Sequence, residues 1–297
     1  MGILLILLSA VGFGSMALLA TVAYEGGVDT ATLLMLRFVI AAVLLGSLMC
    51  ARGVRAPRGR ALANCVGMGL AYAMMAWAYF SALHYAPSAT VALVLYVYPI
   101  LVALAAAALR MDRFGLAESV SLVVSSTGLC LVLGGALDGA MPGFLLALVS
   151  ALCYSAYILM GSRHVGEVDA IASSATVLTV AAACYLLLTL WQGPHWPPQP
   201  RAWMATVGVA ILGTAVAIAA FIAGLKRVGP TLAAVLSTLE PVVTVGLGVW
   251  FLGEQPTWAA CVGGGLILVA AIGLAVARNR RAATRRGTHT DAVTPPA

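Results

Sequence analysis

The segment GILLILLSA, residues 2–10, decides the fold because it returns as GFLLALVSA at residues 143–151. Six of the nine positions are identical at an offset of 141 residues. The chain therefore contains two copies of one unit. If that unit holds an odd number of membrane spans, the second copy is inverted relative to the first, an arrangement typical of secondary transporters.

The composition identifies an integral membrane protein. Hydrophobic residues make up 62% of the chain and charged residues only 9%, whereas soluble domains have roughly 25% charged residues. The apolar stretches reach about 20 residues, the length that an α-helix needs to cross a hydrocarbon core. The residues do not alternate between polar and apolar as they do in an outer-membrane barrel. We therefore expect an all-α integral membrane protein.

Ten apolar segments predict ten transmembrane helices, arranged as two inverted five-helix repeats. The predicted spans are residues 2–22, 30–50, 61–83, 88–109 and 115–133 in the first copy, and 143–161, 170–191, 202–225, 230–252 and 257–277 in the second. The first repeat is expected at residues 1–140 and the second at 141–278. Residues 279–297 are polar and basic, which predicts a disordered cytoplasmic tail.

The distribution of basic residues supports this count independently. Cytoplasmic loops collect Lys and Arg, whereas short translocated loops do not. With both termini in the cytoplasm, all of the 16 Lys and Arg residues except Arg37 and Arg201 lie in cytoplasmic loops or in the tail. The net charge of +6 therefore indicates topology and contact with anionic membrane lipids, and we expect no nucleic-acid binding.

Motifs for enzymatic chemistry are absent from the sequence. There is no HExxH, no GxSxG and no Walker A loop. The four histidines are scattered and the six cysteines lack CxxC spacing, so we expect no metal, no cofactor and no catalytic residue. The chain starts directly in an apolar span, which predicts neither a cleaved signal peptide nor a lipid anchor. Gly12-Phe13-Gly14 lies inside a span and is interpreted as a helix-packing surface.

Glu240 is the clearest candidate for a functional residue because it lies near the middle of the ninth predicted span. A buried charge there costs about 2.5–3.5 kcal/mol on insertion-based scales. Pro241 removes the helix hydrogen bond to the carbonyl of Ser237, which predicts a helix break. An acid beside a freed carbonyl suits a cation or an amine. The alternative is a structural partner for a buried base or hydroxyl.

Arg37, in the sequence Leu36-Arg37-Phe38, is predicted about a third of the way into the second span from the outside. An arginine stays protonated in proteins, so its guanidinium must be paired or face water. One hypothesis is that Arg37 contacts a substrate carboxylate or another anionic group. The alternatives are a salt bridge to an acid near the outer surface, or snorkelling to that surface.

Aromatic residues are concentrated in the third and fourth predicted spans. Tyr72 and Tyr79 are seven residues apart and share one helix face. Tyr98 lies near mid-depth, and Tyr98-Pro99 corresponds to the Glu240-Pro241 pair at an offset of 142. Pro99 therefore predicts a second helix break. These rings could line an amphipathic pocket for a substrate, and the alternative is ordinary helix packing.

Several short motifs occur together with the doubled unit. They are GFLLA at 143–147, LRF at 36–38, Pro241 followed 13 residues later by Gly253-Glu254, and Pro99 followed at the same distance by Asp112. As an ensemble, they resemble the EamA-type exporters of the drug/metabolite transporter superfamily. The resemblance extends over nearly the whole chain.

The resemblance implies a multi-pass carrier of the bacterial inner membrane. Such carriers export metabolites, amino acids or drugs without ATP, and the proton gradient often drives them. The resemblance does not select one substrate. We expect a small-molecule substrate and membrane lipids as partners, with proton coupling and a homodimer as further possibilities.

Our leading hypothesis is alternating access, in which the two repeats rock about a central cavity. Glu240 and Arg37 would recognise charged groups, or Glu240 would instead carry the coupling proton, and Tyr72, Tyr79 and Tyr98 would supply apolar walls. The main alternative is a membrane enzyme acting on a lipid or isoprenoid. Its only candidate polar clusters are Asp112 with Arg113 and Glu167 with Asp169. A passive channel and a role limited to assembly with a partner subunit are also left open.

Overall fold

The computed structural model describes residues 2–109, 115–134, 141–162, 169–218, 220–221, 224 and 239–290. Every regular element in these residues is a helix. In a hydrocarbon environment a helix satisfies its backbone hydrogen bonds within a single segment, which an isolated strand does not. The expectation of an all-helical protein is therefore confirmed for the part of the chain that the structure describes.

The helices follow the two copies in order. The first half contains α1 (Gly2–Gly14), α2 (Met16–Glu25), α3 (Thr30–Ala51), α4 (Gly59–Ala82), α5 (Ser88–Leu95), α6 (Tyr98–Ala108) and α7 (Leu116–Gly134). The second half contains α8 (Met141–Ser162), α9 (Ala170–Gln192), α10 (Pro200–Ala210), a π-helix (Ile211–Val216), α11 (Leu239–Leu252) and α12 (Trp258–Thr290).

Five helical segments are long and apolar enough to cross a membrane. They are Gly2–Glu25, Thr30–Ala51, Gly59–Ala82, Met141–Gly161 and Ile171–Gln192. The other apolar helices of the described residues are shorter, at 10–17 residues. The chain is therefore a multi-pass membrane protein, and the count of ten spans stays a prediction.

Three of the predicted spans are interrupted within the described residues. The first span breaks at Ser15, whose Oγ donates to the carbonyl of Gly12 at 2.8 Å. The fourth breaks at Tyr96 and Val97, where the backbone N–H of Val97 bonds to the carbonyl of Val94, only three residues earlier. The eighth changes from an α-helix to the π-helix. Such irregular turns inside a membrane helix need side chains or neighbouring helices to satisfy the backbone.

In the described residues α12 continues into the tail as far as Thr290, and the disordered cytoplasmic tail at residues 279–297 stays a prediction. This segment is rich in arginine and alanine, which favour helices, and a formed helix extends more easily than a new one nucleates. Residues 291–297 lie outside the described residues, as do Asp112, Arg113 and Glu167.

The two halves interleave rather than packing as separate units. Three helices of the first half pack on helices of the second half: α3 on α9, α4 on α8, and α7 on α12. Towards the start of the chain, α1 contacts α11 and the π-helix, and α2 contacts α10. The main hydrophobic core joins both halves and includes the fully buried Phe38 and Phe80. The two halves therefore form one shared core.

Close helix contacts in this fold depend on glycine. A Cβ atom on Gly69 in α4 would lie 2.6 Å from Cβ of Val180 in α9. A Cβ atom on Gly46 in α3 would meet no atom within 4 Å. Gly69 thus allows the backbones of α4 and α9 to approach, whereas Gly46 has no such role.

We expect Gly69→Ala to lower the free energy of unfolding by about 1–3 kcal/mol because the new methyl group overpacks the α4–α9 contact. Gly46→Ala is the matched control and should be neutral or stabilising, by up to about 1 kcal/mol, since alanine favours a helix. Thermal unfolding of both purified variants in detergent measures the difference. Equal stability of the two variants would contradict this account of the packing.

Candidate functional site

Arg37 is buried in the centre of the protein, with 2% of its surface exposed. Its Nε donates to Oγ1 of Thr214 at 2.8 Å, and its Nη2 donates to the hydroxyl of Tyr72 at 3.4 Å. The guanidinium carbon lies 4.8 Å from the ring centroid of Phe38 and 5.1 Å from that of Phe80. Such burial excludes snorkelling to the surface.

The partners of Arg37 are all neutral. Within the described part of the chain, no carboxylate lies within ion-pair distance of its guanidinium. Hydroxyls and aromatic faces reduce the desolvation cost of a buried cation, but they leave its charge uncompensated. The alternative of a salt bridge to an outer acid is therefore not observed. The arrangement suits the binding of an anionic group.

Glu240 lies in the first turn of α11, and its Oε2 accepts a hydrogen bond from the hydroxyl of Tyr96 at 2.9 Å. No basic side chain of the described residues pairs with this carboxylate. The backbone at Glu240 is fixed from α1: the hydroxyl of Thr244 bonds to the carbonyls of Gly14 at 3.0 Å and of Glu240 at 3.1 Å. A half-buried carboxylate that accepts from one hydroxyl of the described residues can receive a proton, an amine or a cation.

A row of tyrosine rings runs from the arginine to the glutamate. Ring centroids are 5.3 Å apart for Tyr72 and Tyr157, and 5.9 Å apart for Tyr157 and Tyr154. They are 4.7 Å apart for Tyr154 and Tyr98, and 5.9 Å apart for Tyr98 and Tyr96. Each distance is typical of interacting aromatic rings. We call these five residues the tyrosine row.

The other predicted site residues take different places. Tyr79 is buried, and its ring packs edge-on against Phe80 with centroids 5.5 Å apart, outside the tyrosine row. Pro241 is a buried third residue of α11, and Pro99 is the second residue of α6. Pro99 therefore lies in the first turn of α6, where a proline costs no helix hydrogen bond. The backbone before Leu239 and the side chain of Pro99 lie outside the described residues.

Four residues of this site are absent from the predicted site residues: Tyr96, Tyr154, Tyr157 and Thr214. The signal for Tyr154 and Tyr157 is their spacing, because residues three apart share a face of α8. Thr214 carries no such signal. It reaches Arg37 from the π-helix, and nothing in the local sequence distinguishes it from other threonines.

A cavity of about 440 Å³ opens between α6 and α8, beside the tyrosine row. Oγ of Ser155 donates to the carbonyl of Tyr98 at 3.3 Å and thus links the cavity wall to the row. The volume suits a small molecule. The lining residues are Leu101, Leu104, Ala105, Ala108, Leu152, Ser155, Ala156 and Leu159.

Glu254 joins the second half to the start of α5 in the first half. Its Oε1 accepts from the backbone N–H of Ser88 at 2.8 Å, and its Oε2 accepts from Oγ of Ser88 at 3.0 Å and from the N–H of Ala89 at 3.3 Å. A carboxylate is favoured at a helix N-terminus by these free N–H groups and by the helix dipole. Because Gly248 has no side chain, this carboxylate fits against α11: a Cβ there would lie 2.5 Å from Oε2.

The neighbouring loops lie at the same end of the molecule as Glu254. We call this end the capped end and define it by Asp29, His84, His195 and Glu254. Asp29 caps α3 through the N–H groups of Ala31 and Thr32 and lies 3.6 Å from Nδ1 of His195. His84 bonds to Oγ1 of Thr30 and stacks on Tyr24. Burial of the ring lowers the pKa of His84, which favours its neutral form.

Enzymatic chemistry finds no support in the described residues. No group of three metal-binding side chains occurs there. Asp169, a candidate of the enzyme alternative, instead caps α9: its Oδ1 accepts from the N–H groups of Ile171 at 2.8 Å and Ala172 at 3.4 Å. This is the ordinary role of an aspartate at a helix N-terminus.

Comparison with known proteins finds similarity to transporters. A family model described as the EamA-like transporter family matches residues 1–134 and 141–276. The aromatic amino acid exporter YddG of Ancylobacter novellus is 30% identical over 196 residues, which cover 64% of this chain and 68% of that protein.

Two transporters of Bacillus subtilis, both uncharacterized, are also similar. YcbK is 28% identical over 153 residues, covering 48% of this chain and 49% of YcbK. YwfM is 29% identical over 144 residues, covering 48% of each chain. A solved crystal structure matches with a TM-score of 0.67 and 26% identity, covering 94% of this chain and 98% of the other. The relatives with a named activity are transporters, not enzymes.

We expect Tyr96→Phe to lower the free energy of unfolding by about 1–2 kcal/mol, because it removes the hydroxyl that bonds to the half-buried Glu240. Tyr85→Phe is the matched control, since Tyr85 is 54% exposed. Thermal unfolding of the purified variants in detergent measures both effects. A Tyr96→Phe protein as stable as the control would show that this hydrogen bond contributes nothing.

Proposed function

Because this chain belongs to the EamA-like transporter family, we propose that it is a secondary active transporter that exports a small metabolite across the bacterial inner membrane. The observation that carries the proposal is a pair of ionisable side chains, Arg37 buried and Glu240 half-buried, without ionic partners among the described residues. Arg37 and Glu240 are each held by neutral groups and are joined by the tyrosine row. A stable protein interior has little use for such charges, whereas a binding site does.

The proposed mechanism is alternating access by ten spans in two inverted repeats. Exchange of the two repeats maps each span onto the span five places later. The observed pairs are consistent with this rule: α4 on α8 exchanges with α2 on α10 and α1 on the π-helix, and α3 on α9 exchanges with itself. Symmetric contacts of this kind support two halves that can rock between equivalent states.

The proposed substrate is an amino acid or a related compound, with an aromatic amino acid as the first candidate. Arg37 would receive the carboxylate, because its partners are neutral. Glu240 would receive the amine or the coupling proton. The tyrosine row offers flat apolar surfaces, and the relative from Ancylobacter novellus is named an aromatic amino acid exporter. The cavity between α6 and α8 would serve as the approach to this site.

We further propose that both termini and the basic loops face the cytoplasm and that the capped end faces the periplasm. This orientation follows from the distribution of Lys and Arg. Glu254 of the second half then closes the periplasmic side by holding α5 of the first half. The conformation is therefore one that is closed towards the outside.

Transport itself is tested by comparing metabolites in the medium and in the cytosol, with and without overexpression. We expect one or a few amphipathic amino acids to move to the medium, and Glu240→Gln to reduce this export at least tenfold. Glu25→Gln, at an exposed glutamate, is the control. In proteoliposomes, transport by Glu240→Gln that kept its rate and its full pH dependence would reject both roles of Glu240. If no compound moved, the exporter proposal would lose its support.

We expect Glu254→Gln to open the periplasmic side more often, because the amide cannot accept all three hydrogen bonds at the start of α5. The readout is a single cysteine at Tyr98 in a background without the six native cysteines. Labelling by a membrane-impermeant thiol reagent outside the cell should become about tenfold faster. Glu25→Gln should leave the rate unchanged. Faster labelling only from the cytoplasmic side would show that the capped end faces the cytoplasm.

A further inference from the structure

The binding edge of Arg37 is defined by the hydrogen bonds that it already makes. A guanidinium presents one edge formed by Nε and Nη2 and another formed by Nη1 and Nη2. Thr214 accepts from Nε, which belongs to the first edge, and Tyr72 accepts from Nη2, which the two edges share. Nη1, which belongs only to the second edge, has no hydrogen-bond partner among the described residues. A carboxylate can bind that second edge with two parallel hydrogen bonds.

Thr214 reaches Arg37 because of the π-helix (Ile211–Val216). Its hydroxyl donates to the carbonyl of Val209, five residues earlier, at 3.0 Å. Other threonines of this protein bond to the carbonyl four residues earlier, as in a regular α-helix. The examples are Thr21 to Ala17, Thr176 to Ala172, Thr179 to Ala175 and Thr206 to Ala202. The wider turn therefore changes the direction of the Thr214 side chain and leaves its oxygen as an acceptor for Arg37.

Glycines of the first span hold the π-helix in place. A Cβ on Gly12 would lie 2.7 Å from the carbonyl oxygen of Leu212 and 3.0 Å from Cβ of Ala217. A Cβ on Gly213 would collide with Cγ of Met16. Gly12 thus allows the first span to approach the π-helix, whereas a Cβ on Gly14 would lie 2.7 Å from Cβ of Val243 in α11. The first span therefore packs directly against the turn that carries Thr214.

We infer that Thr214 is the positioning residue that makes this site selective for carboxylate-bearing substrates. It holds Nε of Arg37, and the Nη1–Nη2 edge is thereby aimed away from the π-helix for the substrate. This inference rests on the proposed function, since it concerns the site proposed there for the substrate. A valine at this position would keep the shape of the side chain but remove the acceptor, so the guanidinium would be free to turn.

The test uses the full chain in detergent and two probes, L-tryptophan and tryptamine, which share the indole and the amine and differ only in the carboxylate. Binding is measured as ligand-dependent thermal stabilisation. We expect the unchanged protein to bind L-tryptophan more tightly than tryptamine. Thr214→Val should weaken L-tryptophan binding about tenfold and leave tryptamine binding unchanged. Thr214→Ser, which keeps the hydroxyl, should restore the preference.

Thr206→Val is the matched control, because Thr206 is also buried and its hydroxyl bonds only within its own helix. It should keep the preference for L-tryptophan. If Thr214→Val does not fold, Thr214→Ala replaces it, and the same ratio of affinities is measured. A general loss of structure would weaken both probes equally, whereas loss of positioning weakens only the carboxylate probe.

The outcomes separate this inference from the proposed function. A Thr214→Val protein that still prefers L-tryptophan overturns the positioning role, even if export is observed. Failure of the unchanged protein to prefer L-tryptophan over tryptamine, including binding of neither, overturns the carboxylate selectivity. A preference that depends on Thr214 in a protein without export supports the inference and rejects only the transport proposal.

Discussion

The absence of water inside the bilayer is the constraint on which the rest of this structure depends. Each backbone polar group and each charge must find its partner within the chain. The helices are irregular where hydroxyl-bearing side chains supply such partners: at Ser15, at Tyr96 and at Thr214. Helix breaks and polar side chains therefore occur together. The resulting pocket of polar groups lies where the two halves meet.

Arg37 and Glu240, two groups of opposite charge in this pocket, do not form an ion pair with each other. Arg37 bonds to hydroxyls and packs against aromatic faces, and Glu240 accepts a hydrogen bond from one tyrosine. A direct ion pair would satisfy both charges and leave nothing for a ligand. Neutral partners lower the cost of burial while each charge stays available. The tyrosine row separates the two charges and connects them through aromatic contacts.

The sequence predicted some residues of this site and missed others. Arg37, Glu240, Tyr72 and Tyr98 could be selected because polar or aromatic side chains are conspicuous in apolar spans. Thr214 could not, since its role depends on a π-turn that no local pattern encodes. The sequence prediction includes Glu254 only as part of a motif, whereas its carboxylate caps the helix that begins at Ser88, 166 residues earlier in the sequence. Contacts between distant helices decide such roles.

By itself, the sequence determined the class of the protein, the doubled unit and the polar residues that lie deep within apolar spans. These follow from local properties, namely hydrophobicity, spacing and charge, which each segment carries on its own. Only the tertiary structure decided that Arg37 faces hydroxyls rather than an acid, that Tyr96 rather than Tyr98 holds Glu240, and that Tyr154 and Tyr157 complete the row. The physical reason is that these contacts join helices from both halves, and their geometry is set by close packing at glycines such as Gly12 and Gly14.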